Sequence, residues 1–166
     1  MAFTVVSDSF KDGDYLGEEF ILSSEFGFGC AGGNKSPHLK WSGAPDGTKS
    51  YAVTCFDPDA PTGSGFWHWV VVNIPASVTE LPAEAGNPRS GKLPAGALMT
   101  RTELGNSGYL GPCPPPGAHP HRYLFTVFAV GKDKLDVTAD TSPAVVGFNL
   151  HFATLAKAEI MGLYKR

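Results

Sequence analysis

Asp57, His68, His121 and Tyr123, four side chains able to accept, hold or release protons, all stand at the ends of apolar runs. Asp57 closes the run from Tyr51 to Phe56 and opens Asp57-Pro58-Asp59-Ala60-Pro61, where two prolines stiffen the turn. His68 lies near the start of the run from Phe66 to Ile74, and His121 and Tyr123 head the run that ends at Val130. Alternation along a strand puts His68 on one face with Phe66, Val70, Val72 and Ile74, and puts His121 and Tyr123 on one face with Phe125 and Val127. Two strands thus share one plan, a polar mouth over an apolar floor. Such a mouth suits an anion, because imidazoles, a phenol and the backbone amides of a Gly-rich loop can all donate to it. A bare carboxylate repels an anion, so Asp57 is expected to orient an imidazole, to favour its protonation, or to pair with a cationic group of the ligand. If His68 and His121 donate as imidazolium, affinity falls as pH rises above about 7.

The same residues have plainer readings. A lone His is often a hydrogen-bonded residue at the edge of a core, and either Asp57 or Asp59 can serve only an Asx turn. Gly105-Asn106-Ser107-Gly108 superficially matches a serine nucleophile loop, yet it describes an ordinary turn equally well. Asp57, Asp59, His68, His119 and His121 include metal-ligand types, but Pro120 disturbs the alternation that would bring His119 and His121 together. Neither a hydrolase nor a metal site outweighs anion binding. The 3 cysteines, Cys30, Cys55 and Cys113, have wide and unrelated spacings, which argues against a disulfide framework or a zinc knuckle. The expectation is three reduced thiols, as in the cytosol, with Cys55 a small buried hydrophobe.

These side chains need a scaffold of short strands joined by turns. The chain has 166 residues, 42% of them hydrophobic, enough for one domain spanning residues 1–166 with its own core. Its 20 Gly and 14 Pro are scattered between apolar runs at Phe3 to Val6, Glu19 to Leu22, Tyr51 to Phe56, Phe66 to Ile74 and Arg122 to Val130. This pattern predicts an all-β sandwich whose loops carry the function. Ser142 and Pro143 start a C-terminal helix, predicted to pack through Val145, Phe148, Phe152, Leu155, Ala156 and Leu163. Phe148, Phe152 and Leu155 fit either an intramolecular core or the two-fold interface of a homodimer, and His151 reads as a partly buried packing residue. A net charge of −3 without a long basic run excludes a duplex nucleic-acid partner, and no apolar stretch approaches membrane-spanning length. With no basic start followed by an apolar leader, the placement is cytoplasmic.

Asp57-Pro58-Asp59-Ala60-Pro61, then Trp67-His68-Trp69-Val70-Val71-Val72-Asn73, then His121-Arg122-Tyr123 together resemble the phosphatidylethanolamine-binding protein (PEBP) family. The likeness extends to Ser36-Pro37-His38-Leu39-Lys40-Trp41, Gly47-Thr48-Lys49-Ser50 and the loop Gly111-Pro112-Cys113-Pro114-Pro115-Pro116-Gly117, and is strongest toward the compact bacterial YbhB/YbcL branch. The resemblance implies an all-β dominated fold with minor α, an antiparallel sandwich with a C-terminal helix and short peripheral helices. It also implies a non-enzymatic, regulatory binding protein with a pocket for phosphate, acetate or a phospholipid head group. Carried over by motif, the ligand-binding set is Asp57, His68, Gly111, Pro112, His121 and Tyr123, joined by Asp59 of the same acidic turn. No catalytic residue, metal or cofactor is implied, and a cis peptide is implied at Ala60-Pro61. The alternative partner is a protein, a kinase or a serine protease inhibited through the loops at Asp57 to Gly65 and Gly105 to Pro120.

Overall fold

A computed structural model describes residues 2–166. Period-two runs become strands here, and the strands form two antiparallel sheets. The smaller sheet has the order β1 (Thr4–Val6), β2 (Leu39–Ser42), β5 (Glu80–Leu81). The larger has the order β6 (Leu98–Met99), β4 (Phe66–Pro75), β3 (Ser50–Asp57), β7 (His121–Val130), β8 (Thr154–Tyr164). A helix, α1 (Pro143–Ala153), packs on the outer face of the larger sheet, so the molecule has three layers.

Two apolar clusters fill the gaps between the layers. Between the sheets, Leu39, Trp41 and Leu81 meet Val53, Cys55, Trp69, Val71, Phe125 and Val127, all almost wholly buried. Between the larger sheet and α1, Ala52, Val70 and Val72 meet Val146, Leu150 and Ala153. Each fully buried aliphatic or aromatic side chain contributes roughly 1.5–3 kcal/mol, so the core alone explains how loops rich in Gly and Pro can be held in fixed positions.

Several expectations need correction. The run from Glu19 to Leu22 forms no strand. Glu18–Phe20 make a single 3-10 turn, and the segment spends its backbone groups on loop bonds, Gly33 N to Glu18 O (3.0 Å) and Asn34 N to Ile21 O (2.8 Å) among them. The C-terminal helix ends at Ala153, and residues 154–164 form β8, paired with β7 from Val130↔Thr154 to His121↔Tyr164. Exposed Leu155, Lys157 and Glu159 alternate with more buried Ala156, Ala158 and Ile160, a period of two that a helical stripe does not have. The buried face of α1 consists of Pro143, Val146, Leu150 and Ala153, while Val145, Phe148, Phe152 and Leu155 are 49–74% exposed. His151 is exposed as well. The predicted cap is present: the Ser142 side chain accepts from Val145 N at 3.3 Å and Pro143 follows it.

The peptide bonds are all trans among the described residues, so the cis bond expected at Ala60-Pro61 is not present. Cys30 and Cys113 form a disulfide across 83 residues, and only Cys55 is a free, buried thiol. Spacing misled here because both cysteines lie in long loops that converge on one wall of the molecule. The thiol count therefore does not point to a reducing compartment.

Candidate functional site

At one end of the larger sheet, strand ends and the surrounding loops enclose a cavity of about 230 Å³. Its polar residues come from three neighbouring strands: Asp57 ends β3, His68 lies near the start of β4, and His121 and Tyr123 begin β7. The predicted face of β7 is correct, with Tyr123, Phe125 and Val127 all directed into the inter-sheet core. The predicted face of β4 holds at Phe66, His68 and Ile74 but not at Val70 and Val72. Cys55 pairs with Trp69 but Phe56 pairs with Trp67, so β4 carries an extra residue at His68, a β-bulge. Past the bulge the alternation is reversed: Trp69 and Val71 pack inward with Phe66, while Trp67, Val70 and Val72 pack toward α1, until a second register shift opposite Tyr51 to Val53 returns Ile74 to the inner face. The bulge thus aims His68 into the cavity beside Phe66, with ring centroids 4.8 Å apart, and against Tyr123 at 5.3 Å.

Asp57 and His121 are a buried pair. His121 Nδ1 donates to Asp57 Oδ2 at 2.7 Å, and both side chains are under 5% exposed. The other oxygen, Asp57 Oδ1, accepts from Asp59 N at 2.8 Å, the Asx turn allowed for above. Both carboxylate oxygens are therefore engaged within the protein, so of the three roles expected for Asp57 the geometry favours orienting the imidazole. Because Nδ1 is the donor, His121 Nε2 is a lone pair when the ring is neutral and an N–H when it is protonated.

His68 differs from the expectation that it donates to a ligand. Its Nδ1 lies 2.8 Å from Leu110 O, and a carbonyl can only accept, so Nδ1 carries the proton and Nε2 is a lone pair. Burial lowers its pKa to about 4, against upward pulls from the Leu110 carbonyl and the Asp57 charge. Near neutral pH His68 is an acceptor. Burial, then the Asp57 charge, raises the Tyr123 pKa, so the phenol keeps its proton and remains a donor.

The loop after Leu110 forms a wall rather than an anion cradle. The Gly111 amide donates to Asn34 Oδ1 at 2.7 Å and so is not free for a ligand. Asn34 Nδ2 also donates to Tyr109 O at 3.2 Å, clamping the loop from both sides. A Cβ on Gly111 would sit 2.5 Å from the backbone of Phe20, Ile21 and Leu22, so only glycine permits this approach. Cys113 lines the same wall and ties it through the disulfide to Cys30. Sequence reading missed Asn34 as a site residue. Its only signal was an Asn beside a Gly pair in a long loop.

Two candidates lie outside the cavity lining, Asp59 and Pro112. Asp59 instead accepts from Arg122, from N at 2.8 Å, Nε at 3.0 Å and Nη2 at 2.9 Å, and this partner holds its pKa down near 2. Pro112 O accepts from Leu22 N at 3.1 Å. Ser107, the hydrolase candidate, directs its hydroxyl to Ala139 O at 3.4 Å. No three acidic, His or Cys side chains cluster as a metal site among the described residues.

An antiparallel sandwich with an acid, two imidazoles and a phenol around an apolar hollow defines a pocket-bearing β protein. Residues 6–165 match the family model "Phosphatidylethanolamine-binding protein", and the chain belongs to that family. It is 51% identical to the UPF0098 protein YbcL of Escherichia coli over 99% of this chain and 88% of that one. It is 48% identical to the UPF0098 protein YbhB of the same organism, over 96% of this chain and 98% of that one. The crystal structure of E. coli YbcL superposes with a TM-score of 0.95 over 99% of this chain and 98% of that one. The homologue CT736 of Chlamydia trachomatis superposes with a TM-score of 0.81 at 25% identity, over 99% and 98% of the two chains. No helix among the described residues is long and apolar enough to cross a membrane.

Proposed function

We propose that this chain is a non-enzymatic binding protein whose cavity takes a small anion, a phosphate, a carboxylate or a phospholipid head group, together with a proton. The observation that carries the proposal is the Asp57–His121 pair at 2.7 Å inside a cavity whose second imidazole is locked as an acceptor. With both Nε2 atoms as lone pairs, the neutral site has Tyr123 as its side-chain donor. Protonating His121 creates a second donor and a positive charge, 2.7 Å from the Asp57 carboxylate. A ligand that carries its own acidic proton, such as a monoprotonated phosphate, reaches the same total by donating to His68 Nε2.

Binding rather than turnover is supported by the missing nucleophile. Of the other hydroxyl and thiol groups along the cavity, Cys113 is in a disulfide and Thr62 donates to Gly65 O. The test is mass spectrometry of small molecules retained by the protein as purified, with the His121→Ala variant as control. A phosphate- or carboxylate-bearing compound held by the parent and lost from the variant is the expected result. Retention that is unchanged in the variant contradicts the assignment.

A further inference from the structure

The outer face of the larger sheet is only partly covered by α1. Along it, Ala52, Phe128 and Lys157 lie in one register row across β3, β7 and β8, and Thr54, Thr126 and Glu159 lie in the next. Between these rows and α1 a second cavity of about 430 Å³ remains, on the opposite side of the sheet from His121 and Tyr123. Its walls are Trp67, Val70 and Phe128 from the sheet and Val146 and Leu150 from the helix.

Three features set this hollow apart from a packing defect. The Thr154 hydroxyl, at the junction of α1 and β8, is buried with no hydrogen-bond partner, and Thr154 lines the cavity. A polar group left in that state costs about 1–3 kcal/mol until something accepts from it. Lys157 also lines the cavity and forms no ion pair among the described residues. No carboxylate lines the cavity, and Glu159 in the adjacent row accepts from Thr126 at 3.1 Å. Finally, Gly147 lines the cavity in the middle of α1, where a Cβ would meet nothing within 4 Å. Glycine there costs about 0.5–1 kcal/mol relative to alanine and serves no close contact, so its effect is to leave the space over the cavity open.

We infer that this second cavity binds a medium-chain carboxylate, a linear apolar tail with one anionic head. The tail lies along Trp67, Val70 and Phe128, the head pairs with Lys157, and Thr154 donates to it. The cavity is within the size range of small-molecule sites, which are apolar with a few placed polar groups. The negative end of the α1 dipole faces the same junction, so the Lys157 charge is what admits an anionic head there.

Calorimetric titration with decanoate and with decanol tests the inference. With the Asp57–His121 cavity filled by excess sulfate, decanoate should saturate the parent protein at one site, and Gly147→Phe, which fills the open space, should weaken it by at least about tenfold. Lys157 is exposed and its loss leaves the core intact, so Lys157→Ala should fold normally. It should weaken decanoate about tenfold and leave decanol unchanged. His121→Ala, in the other cavity, should leave decanoate binding intact. No saturable decanoate binding to the parent, or binding that survives Gly147→Phe and Lys157→Ala but is lost in His121→Ala, overturns the inference.

Discussion

His121 donates its Nδ1 proton to Asp57 Oδ2 across 2.7 Å, at a place where both side chains are almost free of solvent. A hydrogen bond of that kind fixes the tautomer and makes Nε2 the face offered to a ligand. Asp57→Asn keeps the Asx turn and the size of the side chain but removes the charge and turns an N–H toward His121 Nδ1, reversing the tautomer. It should lower sulfate affinity by about tenfold or more, with an unchanged circular dichroism spectrum. Calorimetry on the two proteins checks this.

His68 makes a separate prediction about stability and acid. Its folded pKa of about 4 lies below the ordinary value of about 6.5, so the unfolded chain binds a proton that the folded chain refuses. Its stabilising contribution is fully present above pH 6.5 and is lost as pH falls from there to about 4, amounting to roughly 2–4 kcal/mol. His68→Asn can still donate to Leu110 O but does not titrate. Urea melts at a series of pH values should show a shallower fall in this window for the variant than for the parent. Asp59, with its pKa near 2, acts lower, between about pH 4 and 2, where its bond to Arg122 is lost.

The Cys30–Cys113 disulfide closes a loop of 83 residues, for which chain entropy gives a stabilisation of about 2–5 kcal/mol. Reduction, or Cys30→Ser with Cys113→Ser, should lower the melting temperature by roughly 5–15 °C. The cavity wall is also held by Arg166, whose Nε donates to Pro114 O at 2.7 Å. Anion binding at a temperature where the reduced protein is folded should therefore weaken much less than stability does. Differential scanning calorimetry with and without reductant measures the first effect, and anion titration of the same samples the second.

Asn34→Ala releases the Gly111 amide and the Tyr109 carbonyl together. The loss should be about 1–3 kcal/mol of stability from the unpaired groups, together with weaker anion binding as the wall loosens. Chemical denaturation and calorimetry on one preparation separate the two.

The sequence placed Asp57, His68, His121 and Tyr123 together because strand alternation and strand ends are local properties. Their motifs gave the family, and with it the sandwich. What it could not supply was non-local. The β4 bulge depends on how Cys55 and Phe56 pair with the neighbouring strand, so its reversal of faces after His68 was invisible. The engagement of the Gly111 amide by Asn34 and the meeting of Cys30 with Cys113 depend on loops far apart in the chain. The helix at the C-terminus was started correctly from Ser142 and Pro143 but run too far, because Leu155 and Leu163 fit a helical stripe as well as a strand.

Proton uptake on anion binding tests the central claim most directly. Sulfate carries no titratable proton near neutrality, so its titration in buffers of different ionisation enthalpy reports only protons taken up by the protein. Uptake of about one proton per sulfate, with affinity falling as pH rises and both effects lost in His121→Ala, is predicted. Sulfate affinity that is flat with pH and releases or absorbs no proton, or no binding at any pH, contradicts it.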